Sequence, residues 1–193
     1  GYNMDENQQL SPLPARNIDT GMGLERVAVL KQGVESVFMI DTFKPLIELG
    51  EEIAGRRFGE DPRLDVALRV LADHSRAMAL LVADGVLPSN EGRGYVLRRV
   101  VRRAARFSRS AGMEPPFLGR FAERAIELMG GAYPELMGRR DSILRVANAE
   151  EERFNRTLDQ GLVLVEEAIA KAEQKGVKVF PGSVAFLLHD TYG

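Results

Sequence analysis

The chain has no cysteine and no tryptophan, and only two of its 193 residues are histidine. Without cysteine there is no disulfide framework, no thiol nucleophile and no thiolate metal site, and two histidines form a zinc cage only with several carboxylates. A reducing cytoplasm fits that inventory. Net charge is equally scarce: 26 Lys and Arg stand against 28 Asp and Glu, leaving -2. There is thus no global case for a polyanionic partner, and any nucleic-acid signal must be local. No uncharged apolar run approaches the roughly 20 residues a membrane span needs, and Gly1-Tyr2-Asn3 has none of the layout of a signal peptide. The start is expected to lie inside a larger protein. What the chain does have is 45% apolar side chains, enough for a substantial core and one or two domains.

Residues 1–23 hold Pro12, Pro14, Gly21 and Gly23 with little helical periodicity, which predicts a loop followed by a short strand. From there the pattern is helical. Leu24 to Lys31 predicts a short helix closed by Gly33, and Asp41 is placed to N-cap a second helix, with Pro45 in its first turn, running toward Gly55 or Gly59. A third spans about Pro62 to Ala83, with Leu64, Ala67, Leu68, Leu71, Met78 and Leu81 largely three and four apart, and stops at Gly85. A fourth runs from Gly94 to Ser110, a fifth from Pro116 to Met129, and a long sixth from about Asp141 to Lys175. Val177 to Phe180 reads as a short strand, and Ser183 as the N-cap of a terminal helix through Leu188. There is no internal repeat and no low-complexity segment.

Two places carry chemistry. If Ile18 to Gly23 is extended, Asp19, Gly21 and Gly23 share one face, and Ile18, Thr20 and Met22 the other. The first face is then bare except for a carboxylate. A flat ligand can lie against it, Asp19 can hold an ammonium group, and Arg26 can reach back from the following helix toward a phosphate chain above the helix N-terminus. The competing reading is a glycine-rich turn that caps a helix.

The second place is a helix with seven arginines at 93, 98, 99, 102, 103, 106 and 109. At about 100° per residue, those from Arg98 onward occupy a continuous arc of roughly 140°, opposite Leu97, Val100, Val101, Ala104, Ala105 and Phe107. Such a crowd of cations calls for a polyanion or for acidic neighbours, and arginine favours bidentate phosphate or carboxylate contacts. The acidic stretches around Glu51, Glu123 and Glu150 are the internal alternative. Just upstream, the loop Gly85 to Gly92 puts Asn90 at the edge of the basic face, where a side-chain amide can touch a base edge or simply make a turn. His74 reads as a structural partner of Asp73. Tyr95 and Tyr192 flank helix ends, as stacking platforms or as core aromatics.

Ile18-Asp19-Thr20-Gly21-Met22-Gly23-Leu24-Glu25-Arg26 resembles motif 3 of the class II aminoacyl-tRNA synthetases, in the wording of the alanine-specific family. The string from Ala72-Asp73-His74-Ser75-Arg76 through Asn90-Glu91-Gly92-Arg93-Gly94-Tyr95-Val96-Leu97-Arg98-Arg99 resembles the same family, as does Asp190-Thr191-Tyr192-Gly193. The matches fall in the family's order along nearly the whole chain. The resemblance implies that Arg26 contacts the ATP phosphates as the catalytic residue, that Gly21 and Gly23 floor the site, and that Asp19 binds the alanine amino group. It further implies that Asn90 and Asp190 read a G·U pair in the tRNA acceptor stem. A wobble leaves the guanine 2-amino group unpaired in the readable minor groove of A-form RNA. An ionised Asp190 offers only acceptors for that donor, whereas Asn90 has both functions and can bridge the two bases. Arg93, Arg98, Arg99, Arg102, Arg103 and Arg106 are the expected tRNA contacts.

The expected fold class is mainly α: residues 1–35 as the end of a class II aminoacylation domain, a remnant strand and helix, and residues 36–193 as a bundle-like helical tRNA-recognition domain. The expected partners are the tRNA(Ala) acceptor stem, alanine, ATP and the remaining domains of the same protein, with no membrane. ATP and magnesium would serve the intact enzyme, which activates alanine and transfers it to the tRNA terminal ribose. Zinc is not expected. Motifs 1 and 2 would lie upstream of Gly1 and an editing domain beyond Gly193, so this segment is expected to be inactive alone. The alternatives are a non-catalytic RNA-binding module and a helical protein-interaction scaffold.

Overall fold

The structure, a computed structural model, describes residues 1–15, 17, 18, 20–174, 176 and 179–188. It is mainly α-helical, in two compact units, Gly1–Asp41 and Thr42–Gly193.

The first unit opens with a hairpin that sequence periodicity did not disclose. Strand β1 (Tyr2–Met4) pairs antiparallel with β2 (Leu10–Pro12), Asn3 facing Ser11. The turn is built by Asp5, whose Oδ1 accepts the backbone N–H groups of Asn7 at 2.9 Å and Gln9 at 2.8 Å, a side-chain mimic of a backbone turn. The strand expected at Ile18 to Gly23 is not formed: residues 17, 18 and 20–23 have no regular structure. Alternation can only assign faces, whereas a strand needs a ladder partner, and the sheet among the described residues consists of β1 and β2 alone. Helix α1 (Leu24–Gln32) follows and ends at Gly33 in the left-handed conformation, as expected. None of its residues is buried, and Ile18, Met22, Leu24 and Leu30 are all exposed. A 3-10 turn at Val37–Met39 completes the unit, with Ser36 Oγ accepting from the Phe38 amide.

The second unit holds α2 (Lys44–Ala54), α3 (Pro62–Ala83), α4 (Gly92–Ser110), α5 (Leu118–Met129), α6 (Pro134–Gly138), α7 (Arg140–Gln174) and α8 (Gly182–Leu187). Asp41 does not cap α2. Residues 41–43 form a turn that moves the start to Lys44, with Phe43 at the N-cap position and no side-chain cap. Asp61 caps α3 by accepting from Arg63 N at 2.8 Å, with Pro62 in the first turn. Helix α3 is the axis of the unit and packs on α2, α4, α5, α6 and α7. Its Leu64, Leu68, Leu71 and Met78 are fully buried, together with Leu46, Leu97, Phe117, Phe121, Leu136 and Ile143 from its neighbours. Each such side chain contributes roughly 1.5–3 kcal/mol of burial.

Helix α5 begins two residues later than the pattern suggested. The carboxylate of Glu151, reaching across from α7, accepts from Phe117 N at 3.0 Å and Leu118 N at 2.9 Å, and so defines its first turn. The short α6 was not anticipated. Val177 and Lys178 lie outside the described residues; Val179 and Phe180 are not in a strand. Helix α8 starts at Gly182 with Pro181 at its N-cap, which puts Ser183 inside the helix rather than at its cap. Among the described residues, no helix is long and apolar enough to cross a membrane.

Candidate nucleic-acid interface

The entry into α4 is shaped by two glycines. Gly92 takes φ 55°, a conformation that L side chains rarely adopt, and this lets the chain turn sharply into the helix. Gly94 is buried, and a Cβ there would collide with the Leu87 carbonyl and with Ser89 Oγ. Its bare backbone allows the preceding loop to fold onto the first helical turn. Ser89 Oγ donates to the Glu91 carbonyl at 2.8 Å and closes that loop. Asn90 is thereby held over the helix, where Arg98 Nη1 donates to its Oδ1. Arginine is donor-only, so the asparagine atom facing it has to be the oxygen; the amide nitrogen is left for another partner.

The arc of arginines is divided. On one edge, Arg98 Nε lies 3.2 Å and Arg102 Nε 3.0 Å from Glu150 Oε1 of α7, and Arg109 Nη1 lies 2.8 Å from Asp159 Oδ1. Glu150 is only 3% exposed and also has Arg153 Nη1 3.6 Å from its other oxygen. Arg98 Nε is within ion-pair range of that carboxylate, but its N–H makes no hydrogen bond among the described residues; the Arg102 Nε bond is the directed one. Among the described residues, only the stretch around Glu150, of the three acidic stretches, serves α4. Glu51 accepts from the Phe58 amide at 2.7 Å and Glu123 pairs with Arg140.

On the other edge Arg99, Arg103 and Arg106 are exposed, and among the described residues none has a carboxylate in ion-pair range. Their guanidinium groups lie instead over aromatic rings: Arg99 is 5.7 Å from the Tyr95 centroid, and Arg103 and Arg106 are 5.4 and 5.1 Å from that of Phe107. These contacts orient the cations while leaving them charged and accessible. Together with Phe154 of α7 they border an open groove of about 660 Å³. His74 lines the groove and bonds through Nδ1 to Asp73 Oδ2 at 2.8 Å, as expected of a structural pair. That bond holds the Asp73 carboxyl below its ordinary value, with partial burial opposing it. Arg93 is exposed in the first turn of α4, apart from the arc.

The nucleotide-site residues lie in the first unit. Gly21 is exposed with open space where a Cβ would stand, and the aliphatic stem of Arg26 passes about 3.5 Å from the corresponding point of Gly23. The Arg26 side chain is exposed one turn into α1. Asp19 and Asp190 lie outside the described residues, as does Tyr192. Asn90 and Arg98 are thus brought together; of the acidic stretches the sequence offers, the one around Glu150 ties Arg98 and Arg102, whereas Asp159, which ties Arg109, was missed. Both acids lie about 50 residues downstream, and nothing in the local pattern links them to α4. Phe107, expected on the apolar side opposite the arginines, instead lies beneath Arg103 and Arg106, and Phe154 was missed.

A helical unit built on one central helix thus presents a half-neutralised arginine face beside a polar loop, a surface whose free cations suit an anionic ligand. The family model for tRNA synthetases class II (A) matches residues 1–193, and the chain belongs to that family. Within it, the chain is similar to alanine-tRNA ligases: 49% identical over 192 residues to that of Geobacillus kaustophilus, covering 100% of this chain. It is 49% identical over 189 residues to that of Carboxydothermus hydrogenoformans, covering 98%, and 47% identical over 192 residues to that of a Thermoanaerobacter species, covering 100%. The chain spans 22% of the length of each of these relatives.

Proposed function

We propose that this chain is the segment of a cytoplasmic alanine-tRNA ligase that reads the tRNA(Ala) acceptor stem and supplies motif 3 to the aminoacylation site. The observation that carries this reading is the outer edge of α4: three exposed arginines, steered by aromatic rings and lacking acidic partners among the described residues, on a chain whose net charge is -2. A surface that keeps cations unpaired in an otherwise balanced protein suits phosphate oxygens. Arg93 and the accessible parts of Arg98 and Arg102 flank the same surface. Asn90 presents its amide beside it, and Asp190 is the second proposed reader of the G·U pair.

In the intact ligase, the alanine carboxylate would attack the α-phosphorus of ATP and expel pyrophosphate to give alanyl-adenylate, and the tRNA terminal ribose hydroxyl would then take the acyl group and release AMP. The residues present fit part of that task. Gly21 offers bare, open backbone, and the exposed Arg26 guanidinium follows one turn later, able to neutralise phosphate charge as it develops. Asp19 is proposed to hold the alanine ammonium. No group of three or more His, Cys, Asp or Glu that could hold magnesium occurs among the described residues. The metal would be held by other parts of the intact ligase.

The test is titration of the chain with acceptor-stem minihelices that carry G·U or G·C at the discriminating position, at several salt concentrations. Tight, salt-sensitive binding that prefers G·U is expected; binding that is absent, or indifferent to the exchange, overturns the reading. ATP-pyrophosphate exchange by the same chain is expected to be absent, and clear alanine-dependent exchange would show that it needs no further segments.

A further inference from the structure

Arg98 occupies an unusual position for a residue expected to grip phosphate. Its side chain is only 15% exposed. One end of its guanidinium lies against the buried Glu150, and the other donates to Asn90 Oδ1. Glu150 in turn is fixed by the Arg102 Nε bond and backed by Arg153. Three elements, α7, α4 and the 85–91 loop, are thus joined through one planar group that cannot lose its charge.

We propose that Glu150 and Arg98 are positioning residues that set the hydrogen-bonding polarity of Asn90, so that it meets RNA with its amide donors and not with its oxygen. This rests on the reading of Asn90 as a base-reading residue and deepens it. A free asparagine amide presents donor or acceptor by rotating half a turn about its last bond, and so bridges donor and acceptor edges alike. With Oδ1 occupied by an obligate donor that is itself held by a buried carboxylate, the turn would set an amide N–H against a guanidinium N–H. Asn90 is therefore restricted to acceptors: the uracil carbonyl, guanine N3 or a ribose hydroxyl oxygen in the minor groove. The unpaired guanine 2-amino group, a donor, is left to an acceptor from elsewhere. Discrimination by Asn90 then follows from position: cytosine O2 is an acceptor too, but the wobble displaces the uracil carbonyl from its place, and a donor clamped in one direction can meet one of the two and not the other.

The experiment compares Arg98→Lys and Glu150→Gln with Asn90→Ala and the unmodified chain in two measurements. The first is the ratio of minihelix affinities, G·U over G·C, with the salt slope of each. The second, made without RNA, is the heteronuclear NOE of the Asn90 side-chain amide. Lysine keeps a charge for Glu150 but cannot span both partners as a fork, so it separates clamping from mere ion pairing. The clamp requires a rigid Asn90 amide in the unmodified chain, loosened in both clamp variants. It also requires their G·U preference to fall by about tenfold, toward that of Asn90→Ala, with the salt slope set by Arg99, Arg103 and Arg106 unchanged. Loss of preference in Asn90→Ala with retention in both clamp variants, or an Asn90 amide already mobile in the unmodified chain, overturns the clamp and leaves the base-reading role standing. No preference in the unmodified chain overturns both.

Discussion

The two edges of α4 carry the same residue type on the same helix and do opposite work. Along Arg98, Arg102 and Arg109 the guanidinium groups are partly buried and tied to Glu150 and Asp159; along Arg99, Arg103 and Arg106 they stand exposed over aromatic rings. Residue type and helical spacing decide that a basic face exists. What the partner helix presents decides which of its members hold the fold and which remain for a ligand. A buried ion pair that loses one partner leaves an uncompensated charge, whereas an exposed cation that is removed leaves only water behind.

That contrast can be broken in order of size. Glu150→Ala strips the inner edge of its acid and strands Arg98 and Arg102 against α7; an unfolding free energy lower by about 3–5 kcal/mol in chemical denaturation is expected. Glu151, one residue on and turned toward α5 instead, should cost about 1–3 kcal/mol as Glu151→Ala, because the Phe117 and Leu118 amides lose their acceptor.

Burial raises the Glu151 carboxyl above its ordinary 4.5 despite the opposing bonds from those two amides. Between 4.5 and the raised value the folded chain binds more protons than the unfolded one, so the Glu151 contribution to stability falls as pH rises through that window and is level above it. Glu151→Gln should remove this slope, and it is measured by comparing unfolding free energies across that window. Arg109→Ala should cost less than about 1 kcal/mol, because Asp159 is largely exposed and solvent screens the pair. On the outer edge Arg103→Gln should leave stability within about 0.5 kcal/mol of the unmodified chain while weakening RNA binding.

Much of this architecture is legible from the residues, and what is not has a common cause. Helix α3 falls at Pro62–Ala83, as its apolar spacing implies, and α1 and α2 stop at Gly33 and Gly55, because periodicity and helix-ending glycines are local signals. The family was readable from three strings in order, which also single out Asp19, Arg26, Asn90 and Asp190. The hairpin at β1 and β2 was not readable: its turn depends on one Asp5 side chain satisfying two amides, in a stretch with no alternation to announce it. Nor was the division of the arginine arc, since Glu150 and Glu151 are neighbours in sequence yet serve different helices, α4 and α5. Only the packing of α7 between them reveals that difference.

The claim that the outer edge of α4 dominates its phosphate contacts is tested most directly by the salt dependence of acceptor-stem binding. Replacing Arg99, Arg103 and Arg106 together by glutamine should flatten the slope of log affinity against log salt by about one per residue, with the melting temperature unchanged. Arg102→Gln should instead lower the melting temperature and leave that slope as it was. An equal flattening by Arg102→Gln, or none by the triple substitution, would contradict the account.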